Sequence, residues 1–342
     1  MSESKGFKRL KGLASAGAIG VAGLLGGVSA RAASTATGLN VTRGGVTWGP
    51  INNNTEFPSS SDQTTTNGAT YISDSASGFG ISEASTANAG DAFDNALLLA
   101  VDGNLFLNPD ATIDLTGDDV TSDVVNNIVP GVDAQIQYHF YSSRPVVRAL
   151  YTLTNTTGAP IAVDPVVLSD YGSDDTTTTR TTSDADTTIE NSDFWYMTDD
   201  GGTGDPRITT TRYGTGATVV PLNALTPSDS APGIAVTGLR FPNTIPAGET
   251  VRIMVFIELV DPNLAFAAQA AAAADFESMP ALDAAGLLSD IDDATRTTII
   301  NYAFAARPVA TAVPIFSPLG LLALFGLMGG AGFFEMRRRK PS

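Results

Sequence analysis

Between Thr37 and Asp261 apolar residues tend to recur at every second position. In "VDAQIQYHFY", Val132, Ala134, Ile136, Tyr138 and Phe140 fall on one face, with Asp133, Gln135, Gln137 and His139 on the other. Successive side chains of a strand point to opposite sides of its sheet, so this alternation predicts a half-buried strand. "VVRALYTLTN" repeats the period, with Val147, Ala149, Tyr151 and Leu153 opposing Arg148, Leu150 and Thr152. In "VRIMVFIELV", Val251, Ile253, Val255, Ile257 and Leu259 share a face. "NTTGAP" and "PAGET" read as turns, and Leu97-Leu98-Leu99 and "GIAVTGLRF" as buried strands. Turn signals at roughly ten-residue spacing predict an all-β chain, a large antiparallel β-sandwich over residues 33–260. Polar residues 52–70 read as a long loop, and Thr- and Asp-rich residues 174–190 as an edge hairpin or loop.

After Asp261 the period changes. Asp261 and Pro262 offer an N-cap and a first helical residue, and "NLAFAAQAAAAADFE" is rich in helix formers. Pro280 is expected to end that helix. "AGLLSDIDDATRTTIINYAF" predicts a second, amphipathic helix, with Ile291, Ala294, Thr298 and Tyr302 on one side. The short helical appendage is therefore expected over 261–304, followed by a linker at 305–312.

Both ends are apolar and cationic. Lys5, Lys8, Arg9 and Lys11 precede an apolar run from Leu13 to Val28, and Ala30 and Ala32 supply the small residues of a cleavage site. Residues 1–32 thus read as a signal peptide, with the secretion translocon and signal peptidase as partners. At the other end, Val313 to Phe334 would span about 33 Å as a helix, enough for a hydrocarbon core of ~30 Å. The basic run Arg337, Arg338, Arg339 and Lys340 would stay cytoplasmic, making residues 313–342 a transmembrane anchor in the inner membrane.

This tail resembles the bacterial C-terminal sorting signals of the IPTL-CTERM kind, relatives of PEP-CTERM. Val313-Pro314-Ile315-Phe316 stands where that family has Ile-Pro-Thr-Leu, and Ser317-Pro318-Leu319-Gly320 where it usually has Ser-Glu-Trp-Gly. Arg337-Arg338-Arg339 matches the family's basic end, whereas the Trp is missing. The resemblance covers only the last 28 or so residues and leaves the exported domain undescribed. It implies a Gram-negative host and an exosortase-type transpeptidase that cuts near the proline. Anchoring would then be transient, and the protein would pass to the cell surface or beyond.

Charge sharpens the picture of the body. The whole chain carries −17, but residues 34–312 hold 10 Arg, no Lys and 34 Asp plus Glu, a net of −24. Such a surface repels nucleic acid and anionic headgroups. Cysteine is absent, which excludes disulfides and thiolate metal sites.

Candidate chemistry is sparse. The single histidine, His139, lies on a polar strand face and reads as a surface residue without special role. No G-x-S-x-G or H-E-x-x-H occurs, and one histidine without cysteine leaves little basis for zinc. The acidic stretch 169–206 places Asp170, Asp174, Asp175, Asp199, Asp200 and Asp205 among Gly, Ser and Thr turns. Calcium is the cation such oxygens would suit, although the spacing is not that of an EF-hand, and a solvated acidic loop is the competing reading. Phe194-Trp195-Tyr196 must divide between two faces of a strand, so at least one is expected in the core. The resulting expectation is an exported, surface-sorted, non-enzymatic β-sandwich of the envelope or extracellular matrix, structural or adhesive, meeting extracellular polysaccharide. The alternatives are a secreted polysaccharide-active hydrolase using paired carboxylates and a carbohydrate-binding module with Trp195 exposed.

Overall fold

A computed structural model describes residues 31–33, 38–56, 77–109, 113–202, 204–226, 235–262 and 265–304. The signal-peptide run, most of the polar 52–70 loop and the sorting segment 313–342 lie outside the described residues. No helix among the described residues is long and apolar enough to cross a membrane.

Two large antiparallel sheets dominate. The larger has the strand order 31–33, 114–116, 119–121, 132–140, 146–155, 250–260, 207–211, 195–199, 178–182, with 125–129 paired to 132–140 off this path. The second runs 222–225, 236–240, 165–171, 93–101, 77–81, 46–56, 39–43. The expected all-β sandwich is observed. Thr178–Thr182 forms the edge strand of the larger sheet, so the edge reading of that Thr-rich stretch holds. The strand Arg31–Ala33, paired with Asp114–Thr116, runs across the expected cleavage point after Ala32.

Alternation explains the packing. Ile136, Tyr138, Phe140, Ala149, Tyr151, Ile253, Val255 and Ile257 point inward from the larger sheet. Trp48, Ile51, Phe79, Phe93, Leu97 and Leu99 meet them from the second. Each large apolar side chain removed from water contributes about 1.5–3 kcal/mol, and this shared core joins the sheets. Tyr138 and Tyr151 both donate hydrogen bonds to Leu97 O, which satisfies their hydroxyls inside it.

The outer face of the larger sheet carries a second core. Leu150, Met254, Phe256, Trp195 and Met197 pack there against Phe276, Leu282, Leu288, Ile291 and Tyr302 of the C-terminal segment. This segment is less helical than its composition predicts. Its helices are α1 (Phe266–Ala273), α2 (Met279–Ala284) and α3 (Asp293–Arg296). The first begins beyond Asp261 and Pro262, with Ala265 at the N-cap. Pro280 opens α2 rather than ending a helix, because Ser278 accepts from Ala281 N and the missing proline N–H is harmless in a first turn. The expected second long helix is one turn capped by Asp292; of its expected apolar side Ile291 and Tyr302 are buried, Thr298 is half-buried and Ala294 is exposed. Residues 298–300 instead run beside the larger sheet, Arg252 N donating to Thr298 O and Ile300 N to Arg252 O.

Candidate functional site: a polar cleft under the C-terminal segment

The polar faces of three strands form rows across the larger sheet. Register sets His139 between Asp119 and Arg148, Gln137 between Thr121 and Leu150, and Gln135 opposite Thr152, which itself faces Arg252. The C-terminal segment does not lie flat on this grid. Asp290, Ile291, Asp292 and Thr295 form one wall of a cleft of about 220 Å³, whose floor is Gln135, Gln137, Thr121, Leu150, Thr152 and Arg252. Leu150 and Ile291 are its apolar members; the remainder offer hydroxyls, amides, carboxylates and one guanidinium.

At one end the row of His139 becomes a charge cluster. His139 Nδ1 lies 2.8 Å from Asp119 Oδ1 and 3.5 Å from Asp290 Oδ2. Arg148, whose side chain is fully buried, grips Asp290 with two bonds of 2.9 and 2.6 Å. It also donates to Tyr141 Oη at 3.1 Å and, more weakly, to Gln137 Oε1 at 3.4 Å. Burial pulls the Asp290 carboxyl upward, but the Arg148 bonds and charge, with His139 behind them, hold it below the usual range. Arg148 is held above its ordinary value: burial works to lower it, and Tyr141 and Asp290 outweigh burial. Burial pushes the Tyr141 hydroxyl up, so it stays a neutral donor, to Leu287 O.

His139 is therefore not the featureless surface histidine expected from its polar-face position, since only 12% of its side chain is exposed. A carboxylate accepting from Nδ1–H fixes the imidazole tautomer and leaves Nε2 as the basic nitrogen, the arrangement of a general acid–base unit. Asp119, His139 and Asp290 are also the one group among the described residues whose ligand atoms come within 4.8 Å of one another, as a metal would require. Asp290 Oδ2 is already turned to a guanidinium 2.6 Å away, so the cluster is neutralised from within.

The acidic residues predicted for calcium are arranged differently. Asp199 pairs with Arg207 at 3.0 Å and Arg180 at 3.4 Å, and Gly201 N donates to it. Asp170 is 3% exposed and accepts from Ala235 N. Asp200, Asp91, Asp174 and Asp94 sit near enough to Asp205 for their charges to act on its carboxyl, and Asp94 and Asp174 act likewise on Asp170. Burial first, then these neighbouring charges, push Asp170 up to about 7 and Asp205 up to about 6. The Asp175 side chain lies outside the described residues. Trp195 is buried and donates to Glu277 Oε1 at 3.1 Å, which removes the exposed Trp platform of a binding module.

No family model matches the chain, and no curated protein matches it. Among solved structures it is similar in coarse architecture to an aldose 1-epimerase candidate from Klebsiella pneumoniae, 8% identical over 67% of this chain and 82% of that one, with a TM-score of 0.37. It is similar to a galactose mutarotase related enzyme from Lactobacillus acidophilus, 7% identical over 65% and 96% of the two chains, TM-score 0.33. A polysaccharide lyase is 11% identical over 56% of this chain and 32% of its own, TM-score 0.35. These neighbours carry the names of enzymes, so the expectation of a non-enzymatic protein finds no support among them and is set aside; at this identity the likeness concerns the sandwich architecture alone. The missing G-x-S-x-G and H-E-x-x-H patterns bear on a serine triad and a zinc site and leave histidine–carboxylate chemistry untouched.

Proposed function

We propose that this chain is a carbohydrate-active protein that holds a saccharide in the cleft and moves a proton on it with the His139–Asp119 pair. The observation that carries the reading is the cleft itself, a recess of hydroxyl, amide and charged groups whose wall residue Asp290 also meets the oriented imidazole of His139. Sugar hydroxyls need convergent donors and acceptors, and Leu150 and Ile291 offer an apolar surface to the C–H face of a ring. At about 220 Å³ the recess suits one or two rings, with a longer chain crossing its mouth. The signal-like N-terminus and the sorting-like tail support a place of action outside the cytoplasm, where polysaccharide is met. Mass spectrometry of the mature protein, ending near Val313 or retaining Arg339, tests that placement.

Calorimetry of the full-length chain against a panel of neutral and acidic oligosaccharides tests the site. Thr152→Trp, which fills the cleft, is expected to abolish binding. His139→Asn is expected to leave binding and remove turnover, followed by NMR of the sugar's anomeric protons. Unchanged binding by Thr152→Trp, or no binding by any sugar of the panel, would sink the reading.

A further inference from the structure

Among the described residues, Arg252 is the cation of this cleft that no carboxylate pairs with. Every other arginine with a described side chain, Arg212 excepted, forms an ion pair within the protein. Arg212 is fully buried, and its Nη1 and Nη2 donate to Asp193 O, Pro221 O, Asn191 and Asn223. Arg252 is half-buried in the cleft floor and bonds through Nη1 to the Thr298 hydroxyl. Among the described residues its Nε and Nη2 meet no acceptor, and these two form the edge of the guanidinium that grips an oxyanion with parallel bonds. In a body carrying −24, a guanidinium left free of carboxylates is unusual.

Its surroundings favour donation to a ligand. The Arg252 backbone is bonded through both its N–H and its C=O to residues 298–300 on one side and pairs with Thr152 on the other, so the side chain projects from a fixed point. Gln137 Oε1 faces Arg148, which turns its amide N–H groups to other acceptors, and Thr121, Thr152 and Thr295 add hydroxyls. The two acids of the wall are engaged: Asp290 by Arg148, and Asp292 by the Thr295 N–H that it caps at 2.6 Å. Asp292 still acts on Arg252 through space, the second influence after burial, which lowers the guanidinium from its ordinary value.

We infer that the saccharide taken by the cleft is acidic, and that its carboxylate or sulfate binds the Nε–Nη2 edge of Arg252. This rests on the saccharide reading above and narrows its substrate class. The negative body does not prevent it, because at ~0.15 M salt the Debye length of about 8 Å screens all but neighbouring charges.

The test is calorimetry of the full-length chain with digalacturonate, its neutral methyl ester and a sulfated disaccharide of similar size. The acid is expected to bind at least tenfold more tightly than its ester, the scale of one charge-assisted fork. Arg252→Gln should erase that preference, so that acid and ester bind alike. Asp292→Asn keeps a good N-cap, leaves Arg252 in place and should widen the preference by about two- to threefold, the reach of an exposed charge. Tighter binding of the sulfated sugar upholds the inference with sulfate as the anion. Equal binding of acid and ester, or a preference that survives Arg252→Gln, overturns it and leaves the saccharide reading standing. Binding of none of the three overturns both.

Discussion

Two groups of carboxylates sit in this sandwich under opposite rules. Asp290 meets a buried guanidinium at 2.6 Å and is held in its charged form. Asp170 meets a backbone N–H but no cation, and burial first, then the like charges of Asp94 and Asp174, push its carboxyl up to about 7. Glu83, beside Asp91, is likewise raised to about 7, burial being the main cause and the Ala84 and Phe93 N–H groups working against it. Gly172 allows this crowding, since a Cβ there would lie 2.2 Å from Asp91 O. Burial alone therefore does not set a carboxylate's charge; the partner placed beside it does.

The sharpest way to break the contrast is to remove the partner. Arg148→Met leaves Asp290 without its guanidinium, and breaking one side of a buried pair costs ~3–5 kcal/mol. Because 24% of the Asp290 side chain reaches solvent, the lower end is expected, about 3 kcal/mol in urea unfolding. Arg148→Met with Asp290→Asn should recover much of the loss. If the double variant is no better than the single one, the pair is not what stabilises this region.

The next effect is a pH dependence of defined sign. An unfolded aspartate titrates near ~3.9, below the folded value of about 7 for Asp170, so protons bind the folded form more tightly. The stabilisation this brings is complete below pH ~4 and is lost as pH rises through about 7. Glu83 and Asp205 act in the same direction, whereas Asp290 loses its contribution only below the ordinary carboxylate range. Stability is thus expected to rise between pH 7 and 5, by roughly 2 kcal/mol from Asp170. Asp170→Asn should be more stable than the parent at pH 7 and less pH-dependent. Parallel curves for the two proteins would show that Asp170 does not titrate in this window.

Much of the scaffold was legible because period-two patterning is local. Residues 132–140 bury Val132, Ala134, Ile136, Tyr138 and Phe140 as their alternation demands. The helical ends were not, because alanine-rich composition fixes propensity without fixing where tertiary contacts cut the helix. The cleft was half legible. Gln135, Gln137 and His139 were placed on the correct face, but that face was taken for open surface. Its cover, Asp290 to Thr295, comes from over 140 residues away, as the separation of Arg148 and Asp290 shows. One signal was present in the sequence. Arg148 stands inside "VVRALY", where apolar residues fill both strand faces, and a charge there requires a buried partner.

The smallest expected effect concerns calcium at the acidic loops. A cation bound only by the native state raises its stability by RT ln(1 + [L]/Kd), about 2.7 kcal/mol at a hundredfold excess over Kd. The raised carboxyl of Asp170 opposes such binding near neutral pH, because a proton there competes for the oxygens a cation would need. Asp199 is committed to Arg207 and Arg180. No three of Asp170, Asp174, Asp199, Asp200 and Asp205 bring ligand atoms within 4.8 Å of one another among the described residues. Thermal midpoints with excess calcium and with chelator are therefore expected to agree at pH 7. A calcium-dependent rise that Asp170→Asn abolishes would reverse the contrast, making this crowded group a cation site whose missing partner is a metal instead of an arginine.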